Sequence, residues 1–131
     1  MIGILIVTHC DLGKEFLNAA EFIVGSVQGA GYISITQKSD SEEIHRAIAE
    51  KINTLNTGEG VIILTDMFGG TPSNISLSFL KDEMVEVITG VNLPMVLAIA
   101  QNREGCTLTS LAKKAQEAAK MGISLAGNLL K

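Results

Sequence analysis

Apolar residues fall along this chain in two rhythms, and their alternation predicts the fold. Residues 2–8, Ile-Gly-Ile-Leu-Ile-Val-Thr, make an unbroken run rich in β-branched side chains, as in a strand buried on both faces. The run stops at His9-Cys10-Asp11. Asp11 predicts the cap of a helix reaching about Gln28, with Phe16, Ala19, Ala20, Ile23 and Val27 on one stripe. Gly29-Ala30-Gly31 breaks that helix, and Tyr32–Thr36 alternates like a short strand. Ser39-Asp40-Ser41, followed by Glu42 and Glu43, places acids at the positive end of a second helix. That helix is predicted to run to about Leu55 and to end at Asn56-Thr57-Gly58.

A second buried strand is predicted at Gly60–Thr65, followed by Asp66-Met67-Phe68-Gly69-Gly70-Thr71-Pro72-Ser73-Asn74. Pro72 suits the first turn of a helix, where its missing N–H costs nothing. Met84–Thr89 reads as a fourth strand, and Gly90-Val91-Asn92-Leu93-Pro94 as a turn into a short helix. Thr107 or Thr109 caps a last long helix to about Lys120; Gly122 stops it, and Ile123–Leu125 reads as a short final strand. The expectation is therefore an α/β fold: one three-layer domain over residues 1–131, with a mostly parallel central sheet and helices on both faces. In such a sheet the strands end along one edge, where ligands bind.

Composition narrows the function more than the fold. The chain has 131 residues, 47% apolar and 18% charged, which fits one dense core. A net charge of −4 argues against phosphate-backbone binding, and the absence of Trp argues against a base-stacking platform, so no nucleic-acid partner is expected. Cys10 and Cys106 form no CxxC pair, which leaves a zinc or dithiol reading without ligands. The opening apolar run is too short for a signal peptide and lacks a basic leader, and no segment approaches the ~20 apolar residues of a membrane span. A cytoplasmic address is expected.

The candidate chemistry lies at two strand ends. His9 follows the first strand and Asp66 the third. If those strands are neighbours, the two side chains face each other across one cleft. A carboxylate that accepts one imidazole N–H fixes the tautomer and frees the other nitrogen's lone pair, making His9 a positioned nucleophile and Asp66 its orienter. Taken alone, His9 reads more readily as a polar residue closing a buried strand. The glycine-rich turn after Asp66 shifts that balance, because glycines let backbone N–H groups face an anion and a helix N-terminus adds its dipole. Phe68, Gly69, Gly70, Thr71 and Ser73 are the candidate phosphate-binding residues, Thr71 and Ser73 adding hydroxyls. No Gly-Lys-Ser/Thr follows, so this is not a P-loop.

Thr8-His9, then Thr65-Asp66-Met67-Phe68-Gly69-Gly70-Thr71-Pro72-Ser73-Asn74, then Ile88-Thr89-Gly90-Val91-Asn92-Leu93-Pro94-Met95, resembles the mannose-type IIA component of the bacterial sugar phosphotransferase system along essentially the whole chain. The resemblance implies a phosphocarrier: His9 receives a phosphoryl group from the phosphohistidine protein HPr and passes it to a IIB component, with membrane IIC and IID components involved indirectly. It implies Nε2 as the phosphorylated nitrogen, Asp66 as the partner of Nδ1, and Ser73 with nearby amides as phosphate ligands. It also implies a homodimer in which Ile123–Leu125 pairs antiparallel with the partner's sheet. Neither a cofactor nor a metal is expected, since amides and hydroxyls take the phosphoryl oxygens. Cys10 departs from the small residue often found after the His in this family; it reads first as a small packed side chain and second as a redox-sensitive thiol beside the nucleophile. His45 reads as a solvated helix residue without a role, and Leu12, Met67 and Phe68 as either core or docking surface.

Three rival readings remain at this level. A regulatory module would be recognised by a target in only one phosphorylation state. A receiver or flavodoxin-like domain would carry an acidic cluster or a hydroxyl-rich phosphate loop where Thr8-His9-Cys10-Asp11-Leu12-Gly13 stands. The phosphohistidine subunit of a dihydroxyacetone kinase would share the fold and the histidine.

Overall fold

The computed structural model describes residues 1–130. Four strands, β1 (Gly3–His9), β2 (Ala30–Ile35), β3 (Val61–Thr65) and β4 (Val85–Thr89), pair in the order β2-β1-β3-β4. Every pairing is parallel, so the mostly parallel sheet expected from the pattern is fully parallel among the described strands. The helices are α1 (Leu12–Val24), α2 (Ser41–Leu55), α3 (Thr71–Leu77), α4 (Leu93–Asn102), α5 (Leu108–Met121) and the single turn α6 (Ala126–Leu129).

Strand alternation sorts the apolar side chains into two layers. Ile4, Ile6, Ile62 and Leu64 face α1, α4 and α5, where they meet Leu17, Met95, Ile99 and Leu111. Leu5, Val7, Val61 and Ile63 face the other way, toward Ile44 and Ile48 of α2 and the partly buried Ile75 and Phe79 of the α3 segment. This double burial is why β1 and β3 are continuously apolar.

Several boundaries moved for local reasons. Helix α1 stops at Val24 because Gly25 takes φ +86°, so Ile23, expected on the buried stripe, is exposed and Leu17 with Ala20 forms the buried line. Asp11 stands at the N-cap without capping; its carboxylate accepts from Ser34 Oγ at 2.6 Å. The cap is Thr8, whose Oγ1 accepts from Gly13 N at 2.9 Å. Strand β2 begins at Ala30, inside the expected break, because Ala30 and Gly31 pair with Ile4 and Leu5. Thr107 is the α5 cap, accepting from Ser110 N at 3.1 Å.

The C-terminal strand expected at Ile123–Leu125 is absent: these residues have no regular structure and are exposed. A strand exists only against another strand's backbone, and the four-stranded sheet of this chain ends at β4 without them. At the opposite end of the sheet, Arg103 is buried. Its guanidinium donates to the carbonyls of Ile2 (3.2 Å), Gly29 (3.4 Å) and Gln28, tying the starts of β1 and β2 to the end of α4. Burial lowers its pKa from the ordinary arginine value, and Glu104 opposes that shift.

Candidate functional site

Because β1 and β3 are direct neighbours, their C-terminal ends bring His9 and Asp66 together. Asp66 Oδ2 lies 2.8 Å from His9 Nδ1 and also accepts the backbone N–H of His9 at 3.0 Å. One carboxylate oxygen therefore fixes both the ring and the main chain that carries it. With Nδ1 donating, Nε2 holds a free lone pair. The His9 side chain is 45% exposed and that of Asp66 only 12%, so the ring is open to solvent while the carboxylate that holds it is covered.

The chain leaves β1 through Cys10, at φ +50°. This conformation turns the main chain into α1 while Cys10 N still donates to Ile35 O at 2.8 Å. Cys10 is consequently exposed, not the packed side chain expected from its size. The other wall is the turn after Asp66. Gly69 has φ +87°, a region costly for side chains other than glycine. Gly70 lies against the imidazole: a Cβ there would sit 2.9 Å from His9 Cε1 and 3.5 Å from Nε2. The glycine pair thus has a steric reason beyond the amide argument, since the ring occupies the space a side chain would need.

Helix α3 starts at Thr71 with Pro72 in its first turn and no side chain capping it. Thr71 is exposed beside the ring's glycine neighbour, whereas Ser73 is fully buried and its Oγ has no hydrogen-bond partner. A hydroxyl with no accessible surface does not meet a group on the open edge, so Thr71 is the accessible side-chain donor of the expected set. Phe68 is 75% exposed, and Met67 and Leu12 are exposed near it in sequence or across the edge, so all three lie on the surface and not in the core. Gly90 N and Val91 N both donate to Thr65 O at 2.9 Å, closing the turn after β4 onto the end of β3. His45, exposed on α2, has its ring 4.4 Å from that of Phe79 and no hydrogen bond to the pair.

A family model, EIIA-man, described as the fructose IIA component of the PTS system, matches residues 3–116. The mannose-specific EIIAB component of Escherichia coli (strain K12) is 32% identical over 104 residues, covering 79% of this chain and 32% of that protein. The sorbose-specific EIIA component of Lacticaseibacillus casei is 33% identical over 109 residues, covering 82% and 78% of the two chains. The crystal structure of phosphotransferase system component EIIA from Streptococcus agalactiae superposes with a TM-score of 0.89 at 25% identity, over 98% of this chain and 99% of that one. The chain spans about a third, 32%, of the length of the mannose-specific relatives it matches.

Proposed function

Since the chain belongs to the EIIA-man family of phosphotransferase system components, we propose that it is a phosphocarrier that takes a phosphoryl group from phospho-HPr onto His9 and delivers it to a IIB component. The observation that carries this reading is the 2.8 Å contact of Asp66 Oδ2 with Nδ1, which leaves Nε2 free on an exposed ring edge.

The Nε2 lone pair attacks phosphorus in line. The donor's P–N bond breaks, its electron pair returns to the donor imidazole, and a new N–P bond forms at His9. Nδ1 keeps its proton throughout, and the positive charge that develops on the ring lies against the Asp66 carboxylate. The loose, highly charged transition state asks for position and for donors. Backbone N–H groups of the turn from Phe68 to Thr71 and the Thr71 hydroxyl are the donors this site offers. The same step in reverse hands the group to the IIB acceptor. Leu12, Met67 and Phe68 form an apolar rim on which both proteins dock in turn. The sugar is handled by the membrane IIC and IID components and does not reach this chain, which works on their cytoplasmic side. No helix among the described residues is long and apolar enough to cross a membrane.

We also infer a homodimer in which Ile123–Leu125 of one copy adds to the edge strand β4 of the other. The free edge of β4 and the exposure of Ile123 and Leu125 support it. Phosphoryl uptake is the direct test of the carrier reading. His9→Ala should take up no label from phosphorylated HPr, and His45→Ala should label at the wild-type rate. Stable label on the His9→Ala protein would end the proposal.

A further inference from the structure

Among the described residues, the buried side-chain polar atoms without a hydrogen-bond partner are Thr65 Oγ1, Asp66 Oδ1, Ser73 Oγ and Ser76 Oγ. All four belong to the junction of β3 and α3. Thr65 shares the sheet face of Val61 and Ile63, the face on which Ile75 and Phe79 pack. It pairs in register with Val7, so it lies level with the residue two before His9 on the neighbouring strand. Ser73 and Ser76 are three residues apart on α3, hence on one helix face, and both are fully buried. Three buried hydroxyls therefore belong to the layer between sheet and helix, and the buried second oxygen of Asp66 follows Thr65 directly in the chain.

Nothing in the packing requires these hydroxyls. Valine has the shape of Thr65, and alanine at positions 73 and 76 would form a better helix. Buried hydroxyls without a partner are rare in native proteins and mark a bound water or a functional strain. Asp66 Oδ1 is an acceptor only, so it needs donors; hydroxyls and water both donate and accept. A buried water takes about three such partners.

We propose that Thr65 and Ser76 are positioning residues: with Ser73, they hold a buried water against Asp66 Oδ1 and so lock the carboxylate whose other oxygen orients His9. The inference rests on the reading of Asp66 as orienter of a phosphoryl-accepting histidine. In it, the carboxylate is held from both sides, by the His9 ring and main chain at Oδ2 and by the hydroxyl layer at Oδ1. Freed of the layer, the carboxylate would rotate, and the Nδ1–H tautomer would lose its preference.

Two readouts on the same proteins test this. The first is the tautomer of the His9 ring, followed by long-range 1H–15N correlation in the unphosphorylated protein. The second is the rate of phosphoryl uptake from phosphorylated HPr. Thr65→Val and Ser76→Ala should admit the Nε2–H tautomer and slow uptake roughly three- to tenfold, the worth of one buried hydrogen bond. Thr65→Ser, which keeps the hydroxyl and loses the methyl group, should match wild type in both. A wild-type His9 spectrum in Thr65→Val and Ser76→Ala would overturn the proposal. So would Thr65→Ser behaving like Thr65→Val. Should Thr65→Val fail to fold, Ser76→Ala decides alone, because alanine removes only the hydroxyl and favours the helix. A shifted His9 spectrum with wild-type uptake in these variants would overturn the link from tautomer to rate and with it the proposal, whereas shifted variant spectra beside a wild-type protein that takes up no label at all would leave the hydroxyl layer standing and remove the phosphocarrier reading instead.

Discussion

Gly70→Ala isolates the ring contact from every other property of the site. The Gly70 backbone, at φ −80° and ψ 167°, is open to any residue, so alanine brings no conformational penalty. What it brings is a methyl carbon 2.9 Å from His9 Cε1. Carbon atoms in contact prefer about 3.5–4.0 Å, so ring and turn must separate by at least ~0.6 Å. A free side chain would yield at little cost, but this ring is pinned at Nδ1 by the 2.8 Å bond to Asp66. Lengthening that bond by the full displacement takes it past the ~3.2 Å limit of a good N–H···O bond, and a charge-assisted bond is worth about 1.5–3 kcal/mol. The new methyl also lies 3.5 Å from Nε2, beside the path of an incoming phosphorus. A misplacement near 1 Å costs on the order of 10²-fold in rate, and that is the expected loss in phosphoryl uptake. Stability should move little, since the gain of about 0.4–1 kcal/mol from a stiffer unfolded chain opposes the local strain. Quench-flow measurement of label uptake from phosphorylated HPr reads the rate, and urea unfolding reads the stability. Gly69→Ala is the matched comparison: its Cβ meets nothing within 4 Å, but φ is +87°, so it should lose about 1–2 kcal/mol of stability through the backbone. Wild-type uptake by Gly70→Ala, with the His9 ring unmoved in its structure, would refute the account of this contact.

Three further outcomes are expected. Asp66→Asn should fold and yet transfer roughly 10²- to 10⁴-fold more slowly, because an amide neither carries the charge nor enforces the tautomer; unchanged single-turnover rates would show that Asp66 is no orienter. Arg103→Ala should cost about 3 kcal/mol or more by urea unfolding, since three carbonyls at the sheet's start lose a charged donor, and Arg103→Lys should recover only part. A loss under 0.5 kcal/mol would contradict that role. Truncation after Gly122 should convert a dimer to a monomer in light scattering, and an unchanged mass would remove the segment from the interface.

The parts of the fold written most plainly in the sequence are those where one residue's environment is set by its own strand. Ile4 to Val7 and Val61 to Leu64 are apolar without interruption because each strand is covered twice, and that pattern admits few other structures. The meeting of His9 and Asp66 follows from it, needing only that β1 and β3 be neighbours. Features that depend on a second element were harder to see. Ala30 and Gly31 have poor strand propensity and enter β2 because β1 is there to pair with them. Gly25 alone outweighs the apolar Val27 that prolonged the helical pattern, because its φ of +86° turns the chain out of α1. Thr8 caps α1 from within a strand, a duty the pattern assigned to Asp11. The Ser73 hydroxyl was expected at the anion site from its place in the motif, but the phase of α3 carries it inward while leaving Thr71 outside. Ile123–Leu125 has the composition of a strand and pairs with no strand of its own chain.

The division of Asp66 between two layers bears on how one surface can serve two partners. A carrier must bind a donor and then an acceptor at the same nitrogen, so neither docking protein can be the one that sets the ring. Here the ring is set from below: Oδ2 holds Nδ1 and the His9 main chain, and Oδ1 is buried away from the open edge. Everything above the ring is then free to be apolar and unspecific, as Leu12, Met67 and Phe68 are. The cost falls on the fold, since buried oxygens without a protein partner remove stability near the site. Two fully covered apolar layers on either face of the sheet offset that loss. The ring stands half-exposed at the sheet's edge on a deeply buried footing, and that is where a phosphoryl acceptor gains most from being held still.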